Sequence, residues 1–463
     1  MNDFTKYSFT ETEWNNCLKV LLLLKDDPFD NPDNRQFGAL IAKIQKQAKK
    51  IRRKESYSQK KQRDLDIIND SVISQNALQN TTTYSVHNAP MICIEGEKAS
   101  NTFTTLEIPK NCYCCNWNYI QAHFFYNRLC PICAENNYEN RFKSIDLSGR
   151  HVILTGGRVK IGYATALKLL RSNAIVTVTT RFPALALAQF KEEKDYDTWK
   201  ENLTLYGLDL RNLTAVETFV EEYKKQHDSL DILINNAAQT IKYTDSYYGP
   251  LIAEEKKQLT LLEGTKWGIP NATPITGHTL LENDAHQGFV SLNRFGQPID
   301  NRTKTSWNST LEEVSMVELL EVNLINQISP YFLIKELTPL LKASTFDKKF
   351  IINVTSSEGI FSYNNKTIYH PHTNMTKASL NMLTRTSGKE YETYGIYMNA
   401  VDVGWISTGA KEKLRKKQFE KGYIPPLDPV DGAARIMVPI IEGIQNTHNP
   451  VGTLLKNYKV VNW

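Results

Sequence analysis

Thr155-Gly156-Gly157-Arg158-Val159-Lys160-Ile161-Gly162 is the stretch on which the fold turns. The β-branched run His151–Leu154 leads into it and an apolar-periodic segment leaves it, so the order is strand, glycine turn, helix. Glycines at such a turn let the backbone fold back tightly and bring N–H groups against a pyrophosphate at the helix N-terminus. Further short β-branched runs follow at Ala174–Thr179, Leu203–Leu208, Leu230–Ile234, Phe350–Thr355 and Met398–Val401, with helical stretches between most successive pairs. That alternation is the signature of βαβ units around a parallel sheet.

The expected fold class is therefore α/β, a Rossmann-type doubly wound parallel sheet spanning 148–463. One connection is too long for it. About 80 residues separate Asn236 from Leu319, well beyond an ordinary loop, and mark an insertion at about 240–310. It carries Trp267, His278, His286 and Trp307 and is expected beside the carboxyl ends of the strands, as a substrate lid or an arm for a protein partner.

Upstream, the chain is organised differently. A small zinc module is expected at 109–143: Cys112-Tyr113-Cys114-Cys115 and Cys130-Pro131-Ile132-Cys133 are two CxxC pairs 14 residues apart, a spacing at which four thiolates surround one tetrahedral zinc. Cys112, Cys115, Cys130 and Cys133 are the preferred ligands, with Cys114 spare and His123 an alternative ligand. Polar sequence over 80–108 reads as a linker with a short strand at Met91–Ile94. Residues 1–79 read as a helical basic region: a capping box at Thr10-Glu11-Thr12-Glu13 opens a helix that Pro28 ends, and Asn31-Pro32 opens a second with the apolar stripe Phe37, Leu40, Ile41, Ile44, Ala48, Ile51.

Net charge is +5 over 463 residues, but residues 40–63 hold ten basic side chains and one acidic. Any polyanion partner belongs on that helix, although the scarcity of aromatic residues there argues against single-stranded nucleic acid. Hydrophobic residues at 41% and charged residues at 23% fit a globular protein, and the run Val20–Leu24 stops at Lys25, far short of a membrane span. Without an export signal, and with cysteines clustered for metal, the expected compartment is the cytoplasm.

From about Ser148 onward the chain resembles the short-chain dehydrogenase/reductase superfamily. Thr155-Gly156 through Gly162 looks like its TGxxxGxG; Asn235-Asn236-Ala237-Ala238 is similar to NNAG; Asn353 through Gly359 resembles the serine-bearing strand and loop; Thr376-Lys377-Ala378-Ser379 resembles the lysine-bearing helix start; and Asn399 through Gly404 with Thr408 resembles NAVxPGxxxT. The resemblance implies a dinucleotide held by Thr155, Gly156, Ile161, Gly162, Asp209, Leu210, Asn236, Ala237, Ala238, Lys377 and Thr408. It also implies homo-oligomers joined through the helices that begin near Asn323 and Lys377. Arg181 stands just past the second strand, where a ribose 2′-hydroxyl needs an acid and a 2′-phosphate needs a cation; with Arg158 and Lys160 it favours NADP(H) over NAD(H).

The resemblance further implies catalysis by a serine, an asparagine, a lysine and a tyrosine, carried here by Ser356, Asn323 and Lys377. The tyrosine is displaced. Four residues before Lys377, on the same helical face, stands Thr373, whose hydroxyl is far too weak an acid to replace a phenol. Thirteen residues after Ser356 stands Tyr369, cut off from the helix by Pro371 and adjoined by His370 and His372. An NAD(P)-dependent oxidoreductase acting through Tyr369, or through His370 or His372, on a carbonyl or alcohol is the first expectation. A nucleotide-binding scaffold without hydride transfer is its rival.

Overall fold

Apolar β-branched runs buried on both faces build the centre of the molecule. The computed structural model describes residues 8–26, 34–79, 102–243, 245–262, 297–298, 300, 302, 304–362, 366–407, 412–446 and 449–463. In chain order its strands are β1 (Phe103–Asn111), β2 (Asn118–His123), β3 (His151–Thr155), β4 (Ile175–Thr180), β5 (Leu203–Gly207), β6 (Ile232–Asn235), β7 (Lys349–Thr355), β8 (Ile396–Asp402), β9 (Leu454–Lys456) and β10 (Lys459–Val461). The last eight form one sheet in the order β10-β9-β8-β7-β6-β3-β4-β5, parallel throughout except where β10 returns along β9. Every residue of β6 and β7 is buried, as expected where helices cover both faces of a parallel sheet.

Alternation along β3 shows the two layers. Val152 and Leu154 face one core with the helices Lys160–Arg171 and Pro429–Gln445, while Ile153 faces the other with Leu213–Gln226 and Ser329–Ala343. The strand order reverses between β3 and β6, so a crevice opens where Thr155 and Asn236 leave the sheet. The hairpin β9–β10 was not anticipated from sequence. Its strands have three residues each, too few for a period, and its turn uses Asn457 and Tyr458 at φ of 49° and 65°.

The chain divides into two units, Met1–Asp66 and Ile67–Trp463. The first contains the helix Glu11–Leu24, opened by the expected capping box between Thr10 and Glu13, and most of a 36-residue helix, Asn34–Asn69, whose lysines and arginines from 43 to 63 are exposed. In the second, the cysteine module is no separate bead. Leu106, Tyr119, Ala122, Phe125, Tyr126, Leu129 and Tyr138 share one apolar cluster with Val152, Leu154 and Leu167 of the sheet layer.

Two expected boundaries move accordingly. Strand β1 starts at Phe103, inside the stretch read as linker over 80–108, and the helix Val72–Gln79 belongs to the second unit, where Val72 N and Ile73 N donate to the carbonyls of Phe124 and Phe125 at 3.0 and 3.1 Å. The expected strand Met91–Ile94 lies outside the described residues, as do Trp267, His278 and His286. The insertion opens with the helix Asp245–Leu262. No helix among the described residues is long and apolar enough to cross a membrane.

Candidate active site and cysteine centre

The glycine turn is built for close backbone approach. Gly156 has φ of 73°, and a Cβ at Gly162 would lie 2.0 Å from the Gly156 carbonyl oxygen and 2.6 Å from Asn236 Nδ2. Asn236 Nδ2 donates to the Thr155 and Gly156 carbonyls at 3.0 and 3.1 Å, and Thr155 Oγ1 accepts from Asn236 N and Ala237 N at 3.0 Å each. The turn after β3 and the segment after β6 are thus one hydrogen-bonded cradle, open where a helix N-terminus meets a crevice, and its donors and bare backbone suit a pyrophosphate. Lys160, which stands where the family's middle glycine is expected, takes a left-handed φ of 52°, a conformation costing a lysine about 1–2 kcal/mol. Ile161 packs against the core, while Ala238 is exposed.

Beyond the cradle lies a cationic corner. Arg158, with its guanidinium 5.3 Å over the ring of Phe182, has its pKa drawn down to about 10 by burial and then by the neighbouring charge of Arg181. Arg181 Nη2 donates to the Tyr248 hydroxyl at 3.0 Å. Two arginines that repel one another give a dianionic 2′-phosphate something to neutralise. Asp209 is bound instead by Arg211 at 2.6 Å; burial opposes its ionisation, but Arg211 still holds its carboxyl below the usual range. Leu210 is buried, with its carbonyl accepting from Ser329 Oγ at 2.7 Å. Thr408 lies outside the described residues.

Ser356 follows β7 into a short turn, Ser357–Gly359, and the helix Pro371–Glu392 packs on that turn. A Cβ at Gly359 would lie 2.7 Å from the Lys377 carbonyl carbon, so the glycine lets the helix backbone approach. Lys377 is buried with Nζ donating to the Val354 carbonyl at 2.8 Å, and burial brings its pKa down to about 8. Asn323 ends the helix Met316–Asn323 with Nδ2 turned back onto the Leu319 carbonyl at 2.7 Å.

Thr373, four residues before Lys377, is buried without a hydrogen-bond partner for its hydroxyl among the described residues. Tyr369 precedes the helix, as the intervening Pro371 led one to expect, and is 40% exposed. His370 takes a left-handed φ of 44°, stacks on Trp307 with ring centroids 4.4 Å apart, and places Nδ1 2.8 Å from the Trp307 carbonyl oxygen. His372 is buried, with Nε2 3.4 Å from Glu318 Oε1.

Sequence reasoning missed Asn326. It lies in a π-helical turn, Leu324–Ile328, where its amide accepts from Gln239 N at 2.7 Å and donates to the Gln239 carbonyl at 2.9 Å and Thr376 Oγ1 at 3.1 Å. It thereby joins the segment after β6 to the helix carrying Lys377. An asparagine three residues past Asn323, inside an otherwise apolar helix, was the available signal.

The two CxxC turns meet as expected. The Sγ atoms of Cys112, Cys115, Cys130 and Cys133 lie within 4.8 Å of one another, and Cys115 and Cys130 are 3.7 Å apart, close to the roughly 3.8 Å edge of a tetrahedron with Zn–S bonds of about 2.3 Å. Hydrogen bonding to Cys114 draws the Cys112 thiol down to about 4, toward the thiolate that metals bind. His123 is not a fifth candidate in place. Its Nδ1 accepts from Phe125 N at 3.0 Å and Tyr126 N at 3.4 Å, among aromatic rings.

Comparison with known proteins matches this sequence to a family. The profile described as short chain dehydrogenase covers residues 150–249, and that described as enoyl-(acyl carrier protein) reductase covers 302–424. An uncharacterized protein of Acanthamoeba polyphaga mimivirus is 31% identical over 340 residues, 71% of each chain. The chain belongs to the short-chain dehydrogenase/reductase superfamily. Within this superfamily, chloroplastic protochlorophyllide reductase of Pisum sativum is 35% identical over 88 residues, 19% of this chain and 22% of that enzyme. Capsicum annuum (+)-neomenthol dehydrogenase is 32% identical over 93 residues, 19% of this chain and 29% of that enzyme. The NADPH-bound carbonyl reductase from chicken fatty liver is similar with a TM-score of 0.44 and 19% identity, over 68% of this chain and all of that one. The gap between the two matched profiles falls on the insertion, and the cysteine module precedes the first.

Proposed function

We propose that the chain is an NADP(H)-dependent oxidoreductase that interconverts a carbonyl and an alcohol. The observation that carries this reading is the cradle itself: Gly156 and Gly162 pressed together and tied by Thr155 to Asn236 and Ala237. Arg158, Lys160 and Arg181 supply cations for the phosphates. When bound, the nicotinamide supplies or accepts the hydride. Tyr369 donates the proton that balances it to the substrate oxygen and recovers one from solvent. Lys377, with an ammonium that titrates near pH 8, stabilises the phenolate left behind; Ser356 orients the substrate oxygen, and Asn323 holds a relay water. Cys112, Cys115, Cys130 and Cys133 bind one zinc as a structural brace. Exposed Met316, Leu320, Tyr331, Met375 and Met382, on the helices that include Asn323 and Lys377 or follow Asn323, support a homo-oligomer.

Thr373 favours a second reading, a nucleotide-binding scaffold that transfers no hydride, because its buried hydroxyl fills the usual phenol position. The two separate on one assay. NADPH carrying deuterium at nicotinamide C4 is incubated with a panel of aldehydes, ketones and quinones, and the products are weighed. The enzyme reading expects deuterium in at least one alcohol, lost by roughly 100-fold or more in Tyr369→Phe. Bound NADPH with no transfer to any member, or full transfer in Tyr369→Phe, overturns it.

A further inference from the structure

We infer that the insertion helix Asp245–Leu262, which lies outside the Rossmann framework, sets the nucleotide preference, with Tyr248 the positioning residue that aims Arg181 at a 2′-phosphate. The inference rests on the NADP(H) reading above and deepens it.

The helix touches the segment after β4 through Tyr248, Leu251, Ile252 and Glu255. Tyr248 accepts from Arg181 Nη2 at 3.0 Å, and the Arg181 guanidinium lies 4.5 Å from the centre of its ring. Tyr248, Leu251 and Ile252 pack with Phe182 and Leu185, and Phe182 in turn carries the guanidinium of Arg158. Glu255 completes the contact. Its buried carboxylate accepts from Ala184 N at 2.7 Å and Leu185 N at 2.9 Å, so it occupies the N-terminus of the helix Pro183–Lys191.

Those two amides are the backbone donors that an incoming phosphate would otherwise find after the second Rossmann strand. With Glu255 on them, a 2′-phosphate must be held by side chains, and Arg158 and Arg181 are the ones at that corner. Their placement then depends on the insertion. An arginine left to itself has several rotamers and loses more entropy on binding than one already held by a hydroxyl and a ring. Tyr248 does not touch the phosphate in this scheme; it acts through Arg181.

The test is fluorescence titration of the full chain with NADPH and with NADH, which differ only in the 2′-phosphate. Tyr248→Phe keeps the ring and its packing and removes the hydroxyl. It is expected to weaken NADPH about fivefold, the worth of one hydrogen bond, and to leave NADH within about twofold. Glu255→Gln, which turns an N–H donor toward one of the two amides, is expected to show the same selective loss. A loss equal for both nucleotides, as a merely structural role would give, or an unchanged NADPH affinity in Tyr248→Phe, overturns the inference. Wild type separates it from the reading beneath: if the unmodified chain binds NADPH no tighter than NADH, the NADP(H) reading itself fails. If Arg181→Ala abolishes the preference and Tyr248→Phe does not, only the role of the insertion fails.

Discussion

Replacing Arg141 by alanine should destabilise the whole second unit and not the cysteine module alone. The Arg141 side chain is 1% exposed, with Nη1 2.6 Å from Asp428 Oδ1 and 3.0 Å from Asp431 Oδ1, and Nη2 3.0 Å from Asp428 Oδ2. The guanidinium also lies 4.4 Å over the Phe125 ring, and Tyr126 donates to Asp431 at 2.6 Å. Both carboxylates belong to the capping box that opens the helix Pro429–Gln445, and that helix packs on Lys160–Arg171, which follows the glycine turn.

Burial opposes the charge on each acid. Arg141 nonetheless holds Asp428 below the usual carboxylate range, whereas burial pushes Asp431, which also faces Asp428, above it. Removing the arginine strands two buried acids, and breaking a buried ion pair from one side costs about 3–5 kcal/mol. With roughly 400 residues unfolding together, that is a fall in Tm of roughly 4–6 °C. Differential scanning calorimetry reads it. On a background of Asp428→Asn with Asp431→Asn the same arginine change should cost under about half as much, because no charge is left stranded. A loss below about 1 kcal/mol, or an early transition followed by a remainder melting at the wild-type temperature, would refute the claim that module and sheet share one core.

Two other outcomes follow from the site. Burial brings Lys377 from 10.5 to about 8, so between those pH values the folded chain binds fewer protons than the unfolded one, and stability should rise with pH across that window. Urea midpoints at pH 8 and pH 10 should therefore diverge less in Lys377→Met than in wild type; equal divergence would show that the ammonium is not the group responsible. Elemental analysis should find about one zinc per chain, retained in Cys114→Ser and lost in Cys115→Ser. Retention in both variants would place the metal elsewhere.

The glycine turn, six of the eight main-sheet strands and the cysteine tetrad were legible because each rests on local chemistry: period, turn residues and ligand spacing. What was hidden depends on distant pairings. Nothing near Arg181 in sequence names Tyr248, 67 residues on, as its neighbour, or Glu255, 70 residues past Leu185, as the acceptor for that amide. The Tyr126–Asp431 bond spans 305 residues, which is why the cysteine module reads as a separate domain until the core is seen. The hairpin β9–β10 was too short for a pattern. The exclusion of Tyr369 from the lysine-bearing helix, by contrast, was legible from Pro371 alone, although that helix starts at Pro371 and not at Thr376-Lys377 as the resemblance suggested.

The central claim is that the Thr155–Gly162 cradle holds a dinucleotide and prefers the 2′-phosphorylated form. Parallel NADPH and NADH titrations of wild type and Gly162→Ala test it most directly, since the added methyl would meet the Gly156 carbonyl at 2.0 Å. The account predicts NADPH binding at least about tenfold tighter than NADH in wild type, and no measurable binding of either to the folded variant. Equal affinity for the two nucleotides, or wild-type affinity in Gly162→Ala, would contradict it.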